Sequence, residues 1–189
     1  MKRFTITAIL LLIGGCAQQP RSDDVNVLTK ACVGSTALPA QWQGQFRAVD
    51  NPELLQSALG EPQQGKLCQG QVYESTQPAT VILYRAYNST NPNSRFGSWW
   101  AWAKPSGTVS EYRANYEICY QWSPLDKLVR CELKPGVQVV VGNGQSAQCS
   151  EYLRYDVSAV QQVFIADADD AVHNCSDFNA VMQWQPIQR

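Results

Sequence analysis

The stretch VILYRAY, Val81 to Tyr87, decides the fold reading. Alternation places Val81, Leu83, Arg85 and Tyr87 on one face of a strand, and Ile82, Tyr84 and Ala86 on the other. Arg85 therefore shares a face with apolar neighbours. A buried, unpaired guanidinium costs several kcal/mol. Two answers stay open: an edge strand from which Arg85 snorkels to water, or an arginine aimed at an anion. Upstream, KLCQGQVYES (Lys66–Ser75) reads as a partner strand, separated by Pro78. Downstream, NSTNPNSRFG (Asn88–Gly97) is a loop by composition and GSWWAWA a short aromatic strand.

Two helices flank these strands. Asn51 can cap a short helix over Asn51–Leu59, with Pro52 in its first turn and Gly60 and Pro62 stopping it. Val109, Tyr112, Tyr116 and Cys119 or Tyr120 recur at helical spacing, with Ser110 as a candidate cap and Pro124 as the end. DKLVRCELKPGVQVVVGNGQ (Asp126–Gln145) reads as two strands around Pro135-Gly136, the second broken by Gly142 and Gly144. Val160–Ala166 is a further strand, and Asn179–Ile187 a last strand or short helix. The pattern predicts an α+β fold: compact, mostly antiparallel short strands with two short helices, stabilised by disulfides.

The chain of 189 residues opens on Lys2 and Arg3, then an apolar run of about ten residues, Phe4 to Ile13, too short for a stable membrane span. Gly14 and Gly15 precede Cys16. This resembles the lipobox of bacterial lipoproteins. The resemblance implies a signal peptide over 1–15, lipidation of Cys16 and a membrane anchor. With Ala17 next, it also implies sorting to the outer membrane. Polar residues 16–30 read as a tether, and 31–189 as one globular domain.

Beyond Cys16 there are six cysteines: Cys32, Cys68, Cys119, Cys131, Cys149 and Cys175. In an oxidising compartment they read as disulfides. Proximity in the chain predicts Cys32–Cys68, Cys119–Cys131 and Cys149–Cys175. No metal site is expected, because there is no C-x-x-C pair and His173 is the only histidine. A net charge of -1 and the absence of basic clusters argue against a nucleic-acid partner.

No nucleophile motif occurs. His173 reads as a surface-loop residue, and Asp167–Asp170 as a solvated acidic turn without calcium-loop spacing. Gly142–Ser146, GNGQS, could cradle phosphate through its N–H groups. The simpler reading is a turn needing positive φ at Gly142 and Gly144.

Arg85 in LYRAY, Ser98 in GSWW and Glu151 in QCSEYL, spread over Leu67 to Ile165, resemble elements of the ADP-ribosyltransferase superfamily, in its arginine-first, toxin-like branch. That resemblance implies NAD as substrate and Arg85, Ser98 and Glu151 as catalytic residues. Trp99 replaces the Thr expected after Ser98, and Cys149 stands where Gln or Glu is expected. Gln145, Gln161 and Gln162 are further candidates for the late polar residue. Arginine suits a pyrophosphate, a serine hydroxyl can orient a ribose, and a glutamate can stabilise oxocarbenium-like charge. Tyr87, Trp99 and Trp100 can stack on nicotinamide, and Gly144 and Gln145 complete the implied ligand-binding set. The competing reading is a non-enzymatic envelope protein. Its tryptophans would either be core or bind a glycan or a partner protein, and Arg85 would pair with Glu111, Glu117 or Glu151.

Overall fold

The structure is a computed structural model that describes residues 31–76 and 80–179. The lipobox, the tether and most of the segment Asn179–Ile187 lie outside the described residues. The chain runs β1 (Phe46–Ala48), α1 (Pro52–Ala58), β2 (Leu67–Ser75), β3 (Val81–Tyr87), β4 (Trp99–Trp100), α2 (Val109–Asn115) and β5 (Lys127–Leu133). It continues through β6 (Gln138–Gly144), β7 (Ala147–Gln148), β8 (Arg154–Tyr155), β9 (Gln161–Phe164), α3 (Ala168–Ala171) and β10 (Val172–Asn179). Short 3-10 turns occupy Ala40–Gln45 and Pro92–Phe96. This is an α+β fold whose ladders are antiparallel and whose three disulfides lie among short elements.

One sheet has the order β1-β2-β6-β9-β4 and another β10-β5-β3, with β7 and β8 forming a separate pair. The two larger sheets meet where Tyr84 and Ala101 exchange both main-chain hydrogen bonds, at 2.9 and 2.8 Å. β3 is thus joined to the chain just beyond β4, and the aromatic stretch becomes a seam between sheets.

The main core fills the space between the sheets: Val81 and Leu83 from β3, Val129, Cys131 and Leu133 from β5, Val139 and Val141 from β6, and Trp100 from β4. Val140, on the opposite face of β6, packs with Leu67, Val72 and Phe164 beneath α1. β6 is therefore covered on both faces, which explains its unbroken apolar run. Trp100 is fully buried, Trp99 packs on Phe164, and Trp42 stacks on Trp102, so these tryptophans are structural first. Trp122 is exposed.

Asn51 caps α1 by accepting from the Leu54 N–H. The cap of α2 is Thr108, not Ser110: its hydroxyl accepts from Glu111 N, and Glu111 reaches back to Thr108 N in a capping box. α2 also stops at Asn115, short of the predicted end. Gly142 and Gly144 do not break a strand, and neither has positive φ. They are glycines because of close approach. A Cβ on Gly142 would fall 2.0 Å from the Gln69 carbonyl oxygen, and one on Gly144 1.7 Å from Glu117 Oε2.

The disulfides are Cys32–Cys68, Cys119–Cys149 and Cys131–Cys175. Two predicted pairs are corrected. β10 is a strand where a polar loop was expected, and it lies against β5 with a bulge between His173 and Ser176, bringing Cys175 to Cys131. Cys119, after α2, then meets Cys149, after β7. Peptide mapping of the non-reduced protein should recover these three linkages. A Cys119–Cys131 peptide would overturn the pairing. Each bridge contributes about 2–4 kcal/mol, so reduction should lower Tm strongly.

Candidate functional site

Arg85 does not snorkel to water and has no carboxylate partner among the described residues. Its Nε donates to the Ser94 carbonyl and its Nη1 to the Trp99 carbonyl, both at 2.7 Å. Gly97 is required beside it, since a Cβ there would lie 2.2 Å from Nη2. Burial lowers its pKa to about 10, with Tyr112 acting the other way, so it remains a cation at neutral pH. Two of its five N–H donors are committed.

Arg85 lines a cavity of about 170 Å³ at the junction of the two sheets. Trp99, Trp100 and Ala101 come from the seam, Tyr112 and Tyr116 from α2 and its cap, and Gln162 from β9. The remaining wall is the loop after α2, with Glu117, Ile118, Trp122, Ser123 and Leu125. The exposed side chains of Lys66 and Trp122 mark the open side. Arg113 holds the loop through Nη1 to Ile118 O (3.2 Å) and Nη2 to Ser123 O (2.6 Å). The Cys119–Cys149 bridge ties the same loop to the segment after β7.

Glu117 is the unusual member. It is 2 % exposed. Its backbone is left-handed, with φ 48°, a conformation that costs a non-glycine residue about 1–3 kcal/mol. Gln162 Nε2 donates to its Oε2 at 2.7 Å, while Oε1 is buried with no hydrogen-bond partner. Burial pushes the carboxyl up to about 9, against a smaller lowering by Gln162. Glu117 is thus a neutral acid at pH 7. Burial also raises Tyr112 and Tyr116, whose rings lie 4.6 Å apart.

Of the residues singled out in the sequence, Arg85, Trp99 and Trp100 line the cavity, and Gly144 stands directly behind Glu117. Gln162 is the one of the three late glutamines that lines it. Ser98 and Gln145 are not part of the lining. Ser98 accepts from Ile165 N through its carbonyl, and Gln145 Oε1 accepts from Ser146. Tyr87 donates its hydroxyl to Asp177, which also takes a bidentate pair from Arg95. Glu151 lines a separate, open depression with Gln148, Tyr152 and Arg154, so it does not share a cavity with Arg85. Glu117 was considered in the sequence only as an ion-pair partner for Arg85. The nearest signal for its place here was Gly144 at the end of β6, beside Asn143.

No family profile matches the chain, and no curated protein and no solved structure is significantly similar to it.

Proposed function

We propose that the chain is an envelope lipoprotein whose globular domain binds NAD or a related ligand, in the way the ADP-ribosyltransferase resemblance implies. One observation carries this reading: a cationic arginine, partly buried and with no carboxylate partner among the described residues, opens into an aromatic-walled cavity at a sheet junction. A desolvated cation favours an anionic group, and a planar guanidinium suits phosphate oxygens. The aromatic walls favour a planar ring. An apolar cavity of about 150 Å³ holds benzene, so about 170 Å³ suits one ring, with the rest of the ligand leaving past Lys66 and Trp122.

The acid in the cavity is neutral, so it offers hydrogen bonds and not the negative charge that would stabilise an oxocarbenium-like transition state. Binding is therefore the function read from the site. Isothermal titration of the soluble domain with NAD, ADP-ribose and nicotinamide tests it, with nicotinamide release followed in the same samples. Saturable heat with NAD is the expected result. No binding of any of the three at millimolar concentration would overturn the reading.

A second reading has its own observation. Tyr120, Trp122 and Tyr152, exposed by 58, 51 and 90 %, flank the Cys119–Cys149 bridge. Exposed rings fixed by a disulfide suit a protein or glycan partner without catalysis.

The anchor is tested separately. Cys16→Ser should move the protein from the detergent phase to the aqueous phase, because acyl chains contribute about 0.8 kcal/mol per buried CH₂. Retention of the variant in the detergent phase would refute the lipobox.

A further inference from the structure

From the mouth of the cavity we infer that the site takes a dinucleotide in preference to a mononucleotide. A single six-membered ring enters between the sheets, and a purine at the other end of the ligand stacks on Trp122. The inference rests on the ligand-binding reading of the cavity and deepens it by naming the ligand class and the residue that selects it.

Size sets the first half. The cavity holds about 170 Å³, close to the roughly 150 Å³ that accommodates one benzene ring. A fused purine with its sugar and phosphates does not fit in that space. Whatever follows the enclosed ring therefore lies at the mouth, where Lys66 and Trp122 are the exposed members of the lining.

Trp122 is built as a platform there. It lines the cavity and is 51 % exposed, so one side chain borders both the enclosed space and the solvent. Of the three large exposed rings near the Cys119–Cys149 bridge, Tyr120 and Tyr152 are not part of this lining. The benzenoid part of the indole is backed by buried Gly65, where a Cβ would fall 3.3 Å from Cη2 and 3.6 Å from Cζ3. Gly65 is itself held, its N–H donating to Ser146 O at 2.9 Å, and Trp122 N donates to Cys119 O at 3.0 Å. Both walls of the mouth carry strained backbone. Of the five non-glycine residues with positive φ among the described residues, Lys66, Glu117 and Leu125 line this cavity. Such strain collects where a ligand is clamped. A ring fixed in this way loses little freedom when a base stacks on it, and indole offers a wide π face. Lys66 adds a cation beside it. Its Nζ donates to Ser57 O at 3.2 Å, which leaves two donors for a phosphate oxygen.

The test titrates the soluble domain with NAD, with nicotinamide mononucleotide, which lacks the purine half, and with nicotinamide. The wild type should bind NAD at least about tenfold more tightly than the mononucleotide. Trp122→Leu should weaken NAD by about ten- to a hundredfold and leave the mononucleotide at its wild-type affinity. Trp122→Phe keeps an aromatic face and should recover much of that loss. Equal affinity for NAD and the mononucleotide in the wild type would overturn the inference, and that measurement needs no variant. So would a Trp122→Leu protein that still prefers NAD by the wild-type factor, because the second phosphate would then supply the gain. An equal loss for both ligands in Trp122→Leu would make Trp122 a wall of the cavity alone, and Trp122→Phe binding NAD no better than Trp122→Leu would exclude stacking; either overturns the purine subsite. In all of these cases binding of the mononucleotide leaves the cavity reading standing. Absence of binding by NAD, the mononucleotide and nicotinamide alike would remove both.

Discussion

Glu117→Gln should stabilise the folded protein, and the gain should grow with pH. Burial raises the Glu117 carboxyl to about 9 in the folded state, against about 4.3 in an unfolded chain. Between those values the folded protein holds a proton that the unfolded chain has released. Stability of the wild type therefore falls as pH rises from about 4.3 to about 9, and this contribution is flat outside that window. Each pH unit inside the window corresponds to about 1.4 kcal/mol. Glutamine has nearly the same shape, keeps an oxygen for Gln162 Nε2 and does not titrate. The two proteins should thus melt within a few degrees of each other at pH 5, and diverge by several degrees or more at pH 8, since about 1 kcal/mol moves Tm by roughly 2–4 °C at this size. Thermal melts of both proteins at pH 5, 6.5 and 8 measure the divergence. A constant difference across the series would mean that Glu117 is ionised, and with it the neutral-acid account of the cavity would fall.

The close contact behind Glu117 explains why the site was only half legible in the sequence. Arg85 stood out because a charge in an alternating apolar run breaks a local pattern, and local patterns are what a sequence displays. Glu117 breaks none. It follows a helix, as a polar residue often does. Its burial depends on a left-handed turn and on Gly144, which comes from a strand packed behind it. Those glycines look like turn residues until the Gln69 carbonyl and the Glu117 carboxyl are seen beside them. β10 was hidden for the opposite reason. VHNCSDFN is an edge strand, paired on one side by β5 and largely exposed, so it lacks apolar alternation. Missing it cost two disulfide pairings, because only β10 carries Cys175 across to Cys131. The strands that were legible, β2, β3, β4, β5, β6 and β9, each put apolar side chains into the core. Glu151 rests on a motif resemblance in QCSEYL, and a local motif does not report that β7 and β8 form a pair separate from the two sheets that frame the cavity.

Arg85→Lys should lower both stability and ligand affinity, and the two losses have separate causes. In the free protein the guanidinium donates to two carbonyls on either side of Gly97, Ser94 O and Trp99 O. Lysine has one nitrogen on a flexible stem and cannot reproduce two donors held in one plane. At least one carbonyl loses a charge-assisted bond, worth about 1.5–3 kcal/mol, and a compact ammonium must be desolvated in a site that already depresses the arginine. A fall in Tm of several degrees in the absence of ligand is the expected result. The affinity loss concerns the anionic part of the ligand, which meets a planar fork in the wild type and a point charge in the variant. It should appear as about a ten- to hundredfold weaker Kd for ADP-ribose, which has the pyrophosphate but no nicotinamide ring. Nicotinamide alone has no phosphate, so its affinity should change less. That contrast separates the two roles, because general loosening of the cavity would weaken both ligands together. If Tm falls while the ADP-ribose Kd stays at the wild-type value, Arg85 serves only to tie β3 to the loop before β4, and the anion site does not exist.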